Sequence, residues 1–232
     1  MSVKLQRHFD TVDPVLARIV PLAGRFKPDL RSKATVFESL ATAIASQQLN
    51  GLVARKIIAR LVALHGGSFP LPQQIAAASP AALRPVGFSF AKIAALQDLA
   101  ARTLDGSLPA DEALAAMDDE AVIERLVAVR GVGRWTAQML LMFKLGRPDV
   151  LPIDDFGVCN GFRLAYGLKG LPQAKALLAF GERWRPFRSA AAWYLWRAVD
   201  LHKDERLPAR SGRAPRIALK PPRVDSVAKA KG

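Results

Sequence analysis

The sequence predicts an all-α protein. Apolar residues recur at helical spacing along almost the whole chain, and no stretch alternates convincingly with period two. Capping residues, prolines and glycines mark where the helices should start and stop. Asp13 before Pro14 reads as an N-cap followed by proline at the first helical position, with Gly24 as the stop. Phe37, Leu40, Ile44 and Leu49 fall roughly along one face of the next helix, and Asn50 caps another that runs through Lys56 and Leu61 to Gly66-Gly67. A helix is expected over 89–104, ending at Gly106, and shorter ones over 112–117 and 120–129. The remaining helices are expected over 133–145, 155–166, 174–184 and 188–202. No internal repeat is present.

Composition narrows the function. Half of the 232 residues are hydrophobic, enough for a sizeable core. No apolar run approaches the roughly 20 residues that a membrane span needs. The opening MSVKLQRHFD lacks the apolar core of a signal peptide, so the expectation is a cytoplasmic protein, nucleoid-associated in a bacterium. Cys159 is the single cysteine, which excludes an internal disulfide, an iron–sulfur cluster and any other metal cluster held by several thiolates. Thirty-four basic against twenty acidic residues give a net charge of +14, the usual mark of a polyanionic partner. Residues 203–232 carry +6 of that charge, so the body remains basic at +8. From about Leu207 the sequence mixes proline, glycine, serine and basic residues with little apolar periodicity. A basic, disordered tail over 207–232 is therefore expected beside a helical domain over 1–206. Such a tail serves equally as a non-specific DNA tether or as a solvated terminus.

The most specific segment is a helix–turn–helix pattern over about 122–144, centred on Gly131-Val132-Gly133. Glycines there remove the Cβ atoms that would hold a phosphate away from the backbone, and they permit unusual dihedrals. The first N–H groups of the following helix lack intrahelical acceptors and carry positive dipole character. Gly131, Gly133, Arg134 and Thr136 thus form a candidate site for DNA phosphate, independent of base sequence.

With Leu126 and Val129 before the turn and Arg134 and Thr136-Ala137 after it, the segment resembles the helix-hairpin-helix motif of the HhH-GPD DNA glycosylase superfamily. Asp155, in LPIDDFGVCNGFR, falls 22 residues after Gly133, as in the DNA-3-methyladenine glycosylase II (AlkA-type) branch. The segment Ala43–Leu49 and the stretch from Trp184 to Trp196 extend the resemblance over roughly 37–196. The chain resembles the compact form without the N-terminal β-rich domain. Ile153 stands where the longer bacterial type has proline, so the loop before the aspartates is expected to differ in shape. The resemblance implies a two-lobed helical fold with the active-site cleft between the lobes.

It also implies chemistry. Breaking an N-glycosidic bond builds positive charge on the sugar, which a fixed carboxylate stabilises. Asp155 is the expected catalytic carboxylate and Asp154 the expected helix cap. Relatives with lyase activity carry a lysine two residues after the second hairpin glycine; this chain has Trp135, which cannot form a Schiff base. Trp196 matches the family's base-stacking tryptophan, and Trp135, Phe156 and Met139 complete an expected pocket for a cationic, alkylated base. Trp184 and Trp193 are expected to pack between helices. Gln47 and Gln48 occupy the turn that enters the minor groove as a wedge after base flipping. No cofactor is expected for catalysis. The resemblance also implies a monovalent cation, Na+ or K+, on the backbone carbonyls of Val127, Val129 and Val132. The implied activity is hydrolytic release of 3-methyladenine- and 7-methylguanine-type bases from double-stranded DNA by a monomer. A glycosylase for uncharged lesions such as hypoxanthine or a mismatched base, and a non-catalytic helix-hairpin-helix DNA-binding protein, are the alternatives. Asp155 and the two tryptophans disfavour the second, since a protein that only grips DNA needs neither.

Overall fold

The computed structural model describes residues 2–27, 34–208 and 215–220. Among these the chain is helical, with no strand beyond one isolated bridge between Pro172 and Leu219. In chain order the helices are α1 (Ser2–Val12), α2 (Pro14–Ala23), α3 (Val36–Ser46), α4 (Gly51–Leu64), α5 (Pro72–Ala77), α6 (Pro80–Leu83) and α7 (Phe90–Leu104). They continue as α8 (Asp111–Ala116), α9 (Asp119–Val127), α10 (Arg134–Phe143), α11 (Phe156–Tyr166), α12 (Ala174–Gly181) and α13 (Arg188–Lys203). Two compact units result. One joins residues 2–27 to those from 148 onward, and the other holds 34–147.

In the first unit α11 packs along α13, and both contact α2. Its polar centre is Asp13, which is 3% exposed. Its Oδ1 caps α2 by accepting from the backbone N–H groups of Val15 and Leu16, each at 3.2 Å. Its Oδ2 accepts from the Tyr166 hydroxyl at 2.5 Å and from Trp184 Nε1 at 2.6 Å. Burial, reinforced by the Asp13 carboxylate, raises Tyr166 well above the ordinary phenol range, so its proton stays in place to be donated. Trp184 is fully buried and Trp193 packs against Phe26, with ring centroids 5.9 Å apart, so both tryptophans pack as expected. Arg188, at the start of α13, grips Asp149 through Nε at 2.8 Å and Nη2 at 3.0 Å. Ser189 Oγ accepts from the Val150 N–H at 2.9 Å. These bonds fix the chain that leads towards Asp155.

In the second unit Thr35, Asn50 and Ser89 cap α3, α4 and α7 through their side chains. Leu40 and Ile44 of α3, Leu61 of α4 and Leu96 and Leu99 of α7 are all buried. Each such side chain contributes about 2 kcal/mol of burial.

The structure adds helices that the pattern did not reveal. α1 has no side-chain cap signal but buries Leu5 and Phe9. α5 and α6 are only six and four residues long, below the length over which periodicity is visible, although each begins at a proline. The helix expected over 174–184 ends at Gly181 and tightens into a 3-10 turn, Glu182–Trp184. Within the expected tail, residues 215–220 meet the chain after α11: Gln173 N–H donates to Ala218 O at 2.8 Å and Lys220 N–H to Leu171 O at 2.7 Å. Residues 209–214 and 221–232 of that tail lie outside the described residues.

Asp13→Ala should destabilise the protein by about 3 kcal/mol, because it leaves a buried phenol and a buried indole N–H without an acceptor. Urea unfolding followed by tryptophan fluorescence measures this. A loss below about 0.5 kcal/mol, the level of an ordinary surface change, would show that Asp13 is not the polar centre.

Candidate active site and nucleic-acid interface

Asp155 is the N-cap of α11, and its Oδ1 accepts from the Val158 N–H at 2.6 Å. The expected division of labour between the two aspartates is therefore corrected: Asp155 itself caps the helix, and Asp154 is exposed. The cap and the candidate catalytic carboxylate are one group. The same Oδ1 accepts from Trp196 Nε1 at 2.7 Å, so the indole of α13 holds the carboxylate by its polar edge. Gly157 makes this possible. A Cβ there would stand 2.6 Å from Trp196 Cδ1 and 3.1 Å from Asp155 Oδ1.

The loop before Asp155 is shaped by local bonds. Asp155 N–H donates to Pro152 O at 3.1 Å, and the Cys159 thiol donates to Ile153 O at 3.2 Å. Burial raises the Cys159 pKa, which keeps that thiol protonated. Phe156, the first residue of α11, is 68% exposed.

The hairpin lies in the other unit. α9 ends at Val127, Val129 N–H donates to Leu126 O at 3.1 Å, and Val132 N–H donates to Val129 O at 3.0 Å. Gly131 has φ +78°, a conformation that a side chain strains, whereas Gly133 has φ −95° and is extended. Only the first glycine therefore needs its unusual dihedral. Gly133 begins α10 with no side-chain cap, and no atom lies within 4 Å of where its Cβ would stand. The N-terminus of α10 is thus open to an anion. The Arg134 guanidinium pairs with Glu120 at 2.5 Å, an exposed pair of little net strength. Thr136 is buried.

Within the same unit Trp135 and Met139 line one pocket of about 670 Å³, together with Ala43, Gln47, Thr136 and Phe143. Trp135 is 51% exposed, unusual for an indole that serves only packing. The structure thus brings Trp135 and Met139 together in one unit, and Asp155 and Trp196 together in the other. At the end of α3, Gln47 is half-buried and donates through Nε2 to Gly131 O at 2.8 Å. Gln48 is exposed with φ +59°, a left-handed conformation rare for a residue other than glycine. The sequence pattern does not distinguish the two glutamines, and it marks neither Gly157 nor Lys92. What a missing Cβ admits, and where a lysine on an amphipathic helix points, depend on residues distant in the chain. Among the described residues no three His, Cys, Asp or Glu side chains cluster as metal ligands would, and no helix is long and apolar enough to cross a membrane.

Residues 41–186 match the family model of the HhH-GPD superfamily base excision DNA repair proteins. The chain is 38% identical over 200 residues to DNA-3-methyladenine glycosylase 1 of Schizosaccharomyces pombe, covering 85% of this chain and 88% of that one. It is 31% identical over 219 residues to DNA-3-methyladenine glycosylase 2 of Escherichia coli, covering 87% and 73%. It also matches the structure of S. pombe 3-methyladenine DNA glycosylase in complex with abasic DNA, with a TM-score of 0.74 and 38% identity, over 84% of this chain and 95% of that one.

Gly157→Ala should break the bond between Trp196 and Asp155, because the added methyl group occupies the path of the indole. The Trp196 indole N–H resonance should then move upfield and exchange faster with solvent, while α11 remains folded. An unchanged resonance would show that the indole does not depend on Gly157 for its place.

Proposed function

The chain belongs to the HhH-GPD superfamily of base excision DNA repair proteins, and on that footing we propose that it is a monofunctional DNA glycosylase that excises alkylated bases from duplex DNA by hydrolysis. The observation that carries this reading is the Asp155 carboxylate, fixed at a helix N-terminus by Val158 N–H and Trp196 Nε1.

In the reaction the bond from C1′ to the base nitrogen breaks, and the base leaves with the bonding electrons. Asp155 stabilises the positive charge left on the sugar. Water then adds to C1′ and loses a proton, leaving an abasic site. An N-alkylated base is already cationic, so its glycosidic bond is weak and one carboxylate suffices. The faces of Trp135 and Trp196 suit such a base through cation–π and stacking contacts. Neither Phe156 nor Met139 carries a strong hydrogen-bonding group, which favours recognition by charge over recognition by hydrogen bonds. Trp135 in the lysine position supports the absence of lyase chemistry.

Gly131, Gly133 and the first turn of α10, with Arg134 and Thr136, grip the phosphate backbone, and Gln48 is the wedge. The carbonyls of Val127, Val129 and Val132 would hold a monovalent cation. Val127 closes α9, where carbonyls lack intrahelical donors, whereas Val129 O already accepts from the Val132 N–H at 3.0 Å and would offer an ion only its second lone pair. Such an ion supplies positive charge for a phosphate.

Incubated with methylated duplex, the protein should release 3-methyladenine and 7-methylguanine, identified by mass spectrometry. The DNA strand should remain intact until alkali cuts it at the abasic sites, and borohydride should trap no protein–DNA adduct. A trapped adduct would show that another amine acts as a lyase. Release of uncharged bases alone would overturn the alkylated-base specificity.

A further inference from the structure

α7 contacts both α3 and the hairpin turn. Three of its residues, Lys92, Ala95 and Asp98, stand at successive three-residue steps and so share one side of the helix. Lys92 is half-buried, and its ammonium donates to Ala45 O at 2.6 Å and Gln47 O at 2.9 Å, the carbonyls at the C-terminal end of α3. Asp98 Oδ2 accepts from the Arg130 N–H at 2.7 Å, the residue that opens the hairpin turn. Between them, Ala95 Cβ lies 3.5 Å from where a Cβ on Gly131 would stand. One face of α7 thus binds the Gln47-Gln48 turn at one end and the phosphate hairpin at the other, about 9 Å apart along the helix axis. The side-chain amide of Gln47 closes the circuit by donating to Gly131 O at 2.8 Å.

We propose that Gln47 and Lys92 are positioning residues that lock the Gln48 wedge to the phosphate hairpin, so that gripping the backbone and inserting into the duplex become one geometric act. The two adjacent glutamines then have different roles. Gln47 has its amide committed to the hairpin, while Gln48 presents its side chain at the tip of the turn with a left-handed backbone. Such a conformation is strained and persists only where the surroundings hold it. The Lys92 ammonium provides that hold by neutralising carbonyls at the negative end of α3. Burial lowers the Lys92 pKa, yet its two short carbonyl contacts are those of a donor that keeps its protons. Asp98 is itself steadied by Arg102 at 3.0 Å, one helical turn on. The inference rests on the glycosylase reading and on Gln48 as wedge, and it concerns the flipping step alone.

The test separates flipping from chemistry. Gln47→Ala, Lys92→Met and Lys92→Arg are compared by single-turnover release of 7-methylguanine from two duplexes. In one the lesion is paired with cytosine; in the other it faces an abasic-site analogue and needs little help to leave the stack. Gln47→Ala and Lys92→Met should slow release from the paired lesion by about fivefold to tenfold, the loss of one hydrogen bond. Loss on the unpaired lesion should be far smaller, and Lys92→Arg should recover most of the paired rate. Equal losses on the two duplexes, or none on either, would overturn the proposal. Thermal unfolding confirms that the variants fold, and Gln47→Ala, altered at a partly exposed side chain, decides the matter if Lys92→Met does not. Should the parent release no alkylated base, the glycosylase reading fails. Flipping is then followed by the brightening of 2-aminopurine in a bound duplex. Gln47→Ala should reduce the brightening at saturating protein, and undiminished brightening would overturn the lock.

Discussion

The hydrogen bond from Trp196 Nε1 to Asp155 Oδ1, 2.7 Å long, is the contact on which the proposed chemistry depends. It joins the start of α11 to the middle of α13, and the packing of the first unit serves to hold that meeting in place. Asp13 gathers α2, Tyr166 at the end of α11 and Trp184 into one buried network. Arg188 clamps the start of α13 to Asp149. A carboxylate that must stabilise a transient positive charge acts best if it need not reorganise when the charge appears. Here the helix N-terminus and the indole edge hold it beforehand.

The cap and the proposed catalytic group coincide in Asp155, and this has an energetic consequence. A capping carboxylate already accepts a backbone N–H and is stabilised by the helix dipole. The negative charge needed for catalysis therefore also contributes to the fold of α11. Close packing around it is correspondingly exacting, since Gly157 is the one side chain size that leaves room for the indole. The second unit follows a different economy. There the proposed DNA interface is largely backbone, with an open helix start at Gly133 and one strained glycine at Gly131, so few side chains would be needed to hold a repeating phosphate.

Much of this was legible in the sequence. Asp13-Pro14, Asn50 and the glycine pair around Val132 gave their helix boundaries because capping and turn chemistry are local. The spacing from Gly133 to Asp155 and the missing lysine at Trp135 could be read as motif positions. What was illegible depended on contacts distant in the chain. Gln47 and Gln48 look equivalent until Gly131, more than eighty residues later, is seen to accept from only the first. Lys92 sits in an ordinary amphipathic helix, and nothing in its neighbours in sequence shows that its ammonium lies under the α3 terminus. Asp154 and Asp155 both stand at a helix start, and periodicity cannot choose between adjacent caps. α1, α5 and α6 lacked, respectively, a cap and the length for a period to show.

The central claim is that the charge of Asp155, beyond its capping bond, performs the chemistry. Asn serves as an N-cap about as well as Asp, so Asp155→Asn removes the charge with little disturbance of α11. Single-turnover release of 7-methylguanine from duplex DNA, with binding measured in parallel by fluorescence anisotropy, tests this directly. The account predicts a rate lower by at least about a hundredfold, the scale of losing one preorganised electrostatic group, with duplex affinity changed no more than about threefold. An Asp155→Asn protein that releases base at the parent rate would contradict it and leave Asp155 a helix cap only.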